Sequence, residues 1–234
     1  MCGKVAAKAS WAESTRIIET LTGTALGDNG HDGMQERAED VTRSNDHDVT
    51  FRVMSVVPVI VWDAQAKTRK VAAMRWGFPS RDDPRRPDPI HARAETIDSK
   101  PTFRDAFLDG QRGILLVKTF NEAPDNGIQH VIMPGDLERV GIAMLWRRFG
   151  DILACVMATV PANQLIAGLP TDRMPAILTD DDEAAIWLGE TSAPHDRIKA
   201  GLKTVEGVRW TMAPEQRAAK PRRRPTVSDP GGLF

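Results

Sequence analysis

Cysteine is scarce in this chain, with two in 234 residues, Cys2 and Cys155. A lone pair in a chain of this size gives no sign of a disulfide framework and points to a reduced, cytoplasmic setting. Excess charge is missing too. The 31 Lys and Arg face 32 Asp and Glu, leaving a net charge of −1. That excludes a general polycation, so any nucleic-acid contact has to be a local basic patch. No apolar run approaches a membrane span. Lys4 and Lys8 precede no apolar core of a secretory leader. Phosphate loops are absent: there is no G-x-x-x-x-G-K, and no G-x-G-x-x-G follows a strand. The five histidines are scattered, without H-x-H, H-E-x-x-H or a Cys/His quartet. Ligand spacing therefore predicts no metal site.

What is present suffices for a folded core. Hydrophobic residues make up 41% and charged residues 27%. The length fits one elaborated domain, expected over residues 1–215. "SWAESTRIIETL" reads as a helix, with Ser10 as N-cap, Glu13 three residues on, and Ile17, Ile18 and Leu21 on one face. Residues 23–48 are polar and rich in Gly, Asp and Asn, the composition of a long loop or insertion. "FRVMSVVPVIVW" reads as a strand with Pro58 at an edge or bulge, turning through "DAQAK" into "TRKVAAMRW". "PTFRDAFLDG" is a short helix opened by Pro101 and closed by Gly110. Strands follow at "GILLVKTF", "IQHVIM", "VGIAMLW", "ILACVMATV" and "VEGVRWTM", with short helices at "ANQLIAG" and "DEAAIWLG". Many strands on short connections and few long helices predict an α+β domain around a mainly antiparallel, barrel-like sheet. Residues 216–234 form a basic, Pro-rich tail that is expected to be disordered.

Several segments can carry chemistry, each with a plain alternative. Cys2 follows Met1. It is either part of a frayed terminus or, once Met1 is removed, a residue with a free α-amine and a thiol on adjacent carbons. Trp76 in "MRWGFP" is either an aromatic packed over a turn or a stacking platform for a base. In "HARAET", alternation places His91, Arg93 and Glu95 on one side of an extended segment. They form a surface ion network or a phosphate clamp made by Arg93 and oriented by His91. Glu122 in "FNEAPDNG" is a solvated turn carboxylate or, if buried, a general acid/base. Thr159 ends a strand and Arg173 falls in a turn beyond it, either capping and packing or forming a polar wall near a site.

The order of these pieces carries more than any one of them. Cys2, "RWGF", "HARAET" with "PTFRDAF", "FNEA", "ATVPAN", "DRMPAIL" and a late "WL" together resemble the SOS-response-associated peptidase family, the abasic-site processing proteins. The resemblance runs from Cys2 to about Leu188. It implies a single α+β domain, probing single-stranded DNA for abasic sites and bonding to them covalently through the N-terminal cysteine. It also implies loss of Met1 by a peptidase-like autocatalysis and no cofactor. Nothing in the chain demands more than a monomer, and the expected location is cytoplasmic and nucleoid-associated. Carried over by position, Cys2 is the nucleophile, Glu122 the active-site glutamate and Arg93 the holder of the DNA backbone. Trp76, Thr159 and Arg173 line the DNA groove, and Lys4 stands where an arginine is usual. The chain departs from the pattern in three places: His91 replaces an asparagine, Thr171 replaces a histidine, and "FNEA" replaces "FYEW". Two other readings stand beside it. One is a catalytically silent, single-stranded-DNA-binding relative. The other is an N-terminal cysteine amidohydrolase, since "MCG" also opens glutamine-dependent amidotransferases, although their later glutamine-binding segments are missing here.

Overall fold

The computed structural model describes residues 2–7, 49–80, 87–122, 128–135, 140–169, 171–206 and 209–215. The helix expected at "SWAESTRIIETL", the segment 23–48 and the tail 216–234 lie outside the described residues.

In chain order the strands begin with β1 (Lys4–Ala7), β2 (Val49–Arg52), β3 (Val56–Asp63), β4 (Thr68–Trp76) and β5 (His91–Arg93). After helix α1 (Pro101–Leu108) come β6 (Arg112–Val117), β7 (Thr119–Glu122), β8 (His130–Met133), β9 (Val140–Phe149) and β10 (Ile152–Pro161). Helix α2 (Gln164–Ala167), strands β11 (Arg173–Pro175) and β12 (Ile177–Leu178), helices α3 (Asp181–Leu188) and α4 (His195–Ala200), and β13 (Thr211–Pro214) complete the described chain.

Strands β4, β3, β6, β9 and β10 close into a five-stranded barrel, because β9 pairs with β10 and β10 pairs back onto β4. Most of the pairings are antiparallel; β10 is parallel to both β4 and β5. A second, five-stranded sheet runs β13-β8-β7-β1-β2. The α+β, barrel-like expectation holds.

Local chemistry explains the joints. Asp63 Oδ1 accepts the Gln65 and Ala66 N–H groups, both at 2.9 Å, and this fixes the β3–β4 turn. Pro58 sits in β3 outside the short β3–β6 ladder, which registers at Ile60↔Ile114, so its missing N–H is tolerated. Gly113 is required where β6 meets β3: a Cβ there would lie 2.5 Å from Val59 Cγ1 and 2.9 Å from the Ile60 carbonyl. Helix α1 buries Phe103, Ala106 and Phe107. Helix α3 buries Trp187, whose indole N–H donates to the Gly113 carbonyl at 2.8 Å.

Four expectations are corrected. "GILLVKTF" is not one strand: it divides at Lys118 between β6 of the barrel and β7 of the second sheet. "FRVMSVVPVIVW" is two strands, not one, broken where Met54 takes a φ of 68°. "HARAET" is extended only through Arg93; residues Ala94–Thr96 form a 3₁₀ turn, so Glu95 leaves the strand. Arg173 and Met174 are in strand β11 rather than a turn, held by β10 through Pro161↔Arg173 and Val160↔Met174. Strand β1 and helix α4 were not anticipated.

Candidate active site

The two sheets meet at Cys2. It stands just before β1, and β1 lies between β2 and β7 in the second sheet. The Lys4↔Asn121 pair sets the register, so the chain entering β1 runs beside Glu122 at the end of β7. From the barrel side, β5 follows β10 in parallel, with His91 opposite Met157. Cys2, Glu122 and His91 therefore converge from three strands that are far apart in sequence.

The hydrogen bonds are specific. His91 Nε2 lies 2.5 Å from the Cys2 carbonyl oxygen. A carbonyl can only accept, so Nε2 carries the proton and Nδ1 is left as the acceptor. The Cys2 backbone N–H faces the Glu122 carboxylate and favours its charged form. The Cys2 thiol points back to the Lys4 carbonyl, with Sγ–O 3.5 Å.

Burial sets the protonation states. Cys2 is 2% exposed and Glu122 is fully buried. Burial pushes the Cys2 thiol far above its ordinary range, and the Glu122 charge adds to the effect. Burial raises Glu122 to about 7, against the pull of the chain's positive terminus and the Cys2 N–H. Burial lowers His91 to about 4, with the Arg173 charge acting in the same direction. At neutral pH the thiol is protonated, the imidazole is neutral, and Glu122 is divided between acid and carboxylate.

The remaining candidates have other occupations. Arg173 is buried and makes a bidentate pair with Glu95, at 2.6 and 2.9 Å, while also donating to the Thr159 carbonyl. It is thus committed inside the protein rather than open to a phosphate. Glu95 is held below the usual carboxylate range by Arg173. Thr159 is buried; its hydroxyl donates to the Ala92 carbonyl at 3.5 Å and accepts from Arg173 at 3.3 Å. The Thr171 hydroxyl donates to the Arg173 carbonyl at 3.3 Å and accepts the Arg173 N–H at 3.4 Å, which uses it as a turn fastener. Lys4 is paired with Glu215 beyond β13. Trp76 is 0% exposed and donates its indole N–H to the Ile90 carbonyl at 3.3 Å, so its ring packs the core and offers no stacking face. Arg93 alone of the expected DNA contacts is exposed, at a recess shared with Thr96, Ser99 and Lys100. Cys155 is fully buried in β10, and burial pushes its thiol far up.

Sequence reasoning passed over Asn121. It is 2% exposed, and its side-chain Nδ2 has no hydrogen-bond partner among the described residues. The available signal was its place in "FNEA", between two residues that are themselves fully buried. Glu95 and Glu215, which occupy Arg173 and Lys4, carry no comparable signal, since each pairing is made by the fold.

Fold and site together define a β-barrel protein with a laid-on second sheet and a buried cysteine, next to the first residue, set between a carboxyl group and a neutral imidazole. The chain belongs to the SOS response associated peptidase (SRAP) family, whose family model matches residues 1–218. Among curated proteins it is similar to the abasic site processing protein YoqW of Bacillus subtilis (strain 168), 27% identical over 146 residues, 57% of this chain and 64% of that protein. YobE of the same organism, also named an abasic site processing protein, is 28% identical over 145 residues, covering 57% and 65%. These matches span somewhat less than two thirds of each relative's length. Among solved structures, a Bacteroides thetaiotaomicron protein shares the fold at TM-score 0.68 and 19% identity, covering 92% of both chains. A Bordetella bronchiseptica protein does so at TM-score 0.68 and 20% identity, covering 92% of this chain and all of that one.

Proposed function

We infer that the chain binds single-stranded DNA and forms a covalent thiazolidine link to abasic sites through Cys2, after Met1 is removed. The observation that carries this reading is the placing of buried Cys2, at the entry to β1, beside the buried Glu122 carboxyl at the end of β7. Loss of Met1 turns the Cys2 amide nitrogen into an α-amine, with a reference pKa of about 8. The amine then sits beside a group that is half protonated at neutral pH.

The chemistry balances without a cofactor. The ring-opened abasic sugar offers an aldehyde. The Cys2 amine adds to its carbon to give a carbinolamine, and loss of water gives an imine. The thiol then adds to the same carbon: the C–S bond forms, the thiol proton passes to nitrogen, and a five-membered ring closes. Amine and thiol belong to one residue, so closure is intramolecular and entropically favoured. Glu122 in its acid form protonates the departing hydroxyl, and as carboxylate it takes the proton from nitrogen or sulfur. His91 holds the Cys2 carbonyl and so fixes the rotation of the residue. Arg93 at the exposed edge of β5 provides a phosphate contact.

A second reading, a catalytically weak DNA-binding relative, draws on the thiol itself. Its deep burial and the neighbouring Glu122 disfavour the thiolate. One experiment separates the two. Purified protein is first checked by intact mass for loss of Met1, then mixed with a labelled abasic oligonucleotide and denatured. The crosslinking reading expects a stable adduct that Cys2→Ser abolishes and Cys155→Ser leaves intact. Retained Met1 in protein that still forms the adduct would sink the thiazolidine route. Binding without any adduct would leave the weak relative.

A further inference from the structure

A cleft of about 530 Å³ opens on the side of the barrel where β9 turns into β10. Phe78, Pro79, Pro89, Arg147, Arg148 and Phe149 line it. Its size falls in the range of small-ligand sites, about 300–1,000 Å³. None of these residues belongs to the Cys2 cluster, but the chain connects the two. Pro89 is two residues before His91, about 7 Å of extended chain.

The cleft's charge is open. Lys4, Arg75 and Arg173 are all paired with carboxylates. Arg147 and Arg148 pair with no carboxylate among the described residues. The Arg147 guanidinium lies 6.0 Å from the centroid of the Phe149 ring, and that ring packs on Phe78 at 5.2 Å. Asp88, the nearby acid, is neutralised by Arg75 at 2.6 Å. The start of α1 also faces the cleft through Pro101 and Thr102. This helix has no side-chain cap and no acid in its first turn, so its positive end is unspent. Two guanidinium groups without a carboxylate partner among the described residues, an aromatic with proline neighbours and an uncapped helix start form a lining that matches an anion joined to a flat ring.

We propose that this cleft is a nucleotide subsite for single-stranded DNA, in which Arg147 and Arg148 each hold a phosphate and Phe149 carries a base, on one flank of the reacting sugar. The assignment rests on the DNA-binding reading given above. It gives the strand a path past His91 that does not depend on Arg173, Lys4 or Trp76, which the fold has occupied.

The test measures binding of short single strands by fluorescence anisotropy over a salt series, with the abasic site at either the 5′ or the 3′ end. The paired variant Arg147→Gln/Arg148→Gln removes two phosphate contacts. Each is worth a slope of about 0.7 in log K against log salt for single strands, so the slope should fall by about 1.4. Referred to about 1 M salt, that is about a 25-fold loss at about 0.1 M. The loss should be confined to oligonucleotides that extend on one flank of the lesion. Phe149→Leu should weaken the same flank by about 5- to 150-fold with the slope unchanged, since stacking carries no counterions. Thermal unfolding checks that each variant is folded, and Arg148→Gln alone, at an exposed position, keeps the test open if the pair is not. An unchanged slope in a wild type that binds and crosslinks would overturn the subsite and leave the DNA reading standing. Equal losses on both flanks would reduce the arginines to general attraction and overturn it also. A wild type that binds no single strand at all would remove both.

Discussion

Replacing Glu122 by glutamine changes one atom of a side chain that is 0% exposed. Burial raises this carboxyl from 4.5 to about 7. The folded value therefore lies above the unfolded one, and folding favours the protonated form. The associated stability is fully present below about pH 4.5 and is lost as pH rises through about 7. At about 1.4 kcal/mol per pH unit, the gap amounts to about 3 kcal/mol. Glutamine stays neutral throughout and carries no such loss. Urea denaturation of wild type and Glu122→Gln, followed from about pH 4.5 to about pH 8.5, should show the variant gaining about 3 kcal/mol on the wild type across that window. The two should be closest at the acid end. Adduct formation gives a second readout: the wild-type rate should bend near pH 7, and the variant should lose that bend with about 100- to 10,000-fold of rate. Stability curves that run parallel over the whole range would refute the burial argument and with it the acid/base role of Glu122.

Arg93→Ala should weaken binding to all single-stranded sequences alike and lower the salt slope by about 0.7, as expected of a phosphate contact without base readout; a sequence-dependent loss in an anisotropy panel would contradict it. His91→Ala removes the group that anchors the Cys2 carbonyl and should slow adduct formation more than it weakens DNA binding. Thr171→His, measured for adduct formation and reversal in the same assay, should do little if His91 supplies the positioning and should speed at least one direction if the missing histidine limits the rate.

The fold was legible where local chemistry decides it. The β3–β4 hairpin is written in alternating apolar residues around an Asp-headed turn, and α1 in Pro101, the Phe103/Phe107 spacing and Gly110. Strand β1 was not legible, because four residues of "KVAA" become a strand only between β2 and β7. Strands β5 and β11 have three residues each and exist because β10 lies beside them. The break at Met54 carries no Gly or Asn to announce it, although its φ is 68°. For the site, Cys2 and Glu122 could be named from the order of motifs. Their burial could not, since it depends on how the second sheet docks on the barrel. Trp76 and Arg173 failed as surface groups for the same reason: an aromatic or a cation at a strand end looks alike in sequence whether the fold covers it or leaves it open.

If the chain binds DNA as proposed, the internal pairing of its cations narrows how it can do so. Removing Glu95 from Arg173 would strand a guanidinium that is 8% exposed, and uncovering a buried charge is costly. A phosphate reaching Arg173 would have to replace a bidentate carboxylate and match both of its bonds. Lys4 is under a similar constraint, since Glu215 is drawn to it from a segment over 200 residues away. Neither cation could be lent to DNA without loosening an ion pair that the fold already makes. On the proposed reading, affinity draws on exposed cations such as Arg93 at the edge of β5 and on the arginines at the β9–β10 turn. These lie at opposite ends of β10, since Arg93 pairs at Thr159 while Phe149 pairs at Ile152. His91, at Met157, falls between them. On the proposed reading, a strand held at both ends would be drawn across His91 and onto Cys2, and the reacting sugar would be placed by tension between two phosphate contacts rather than by a continuous basic groove.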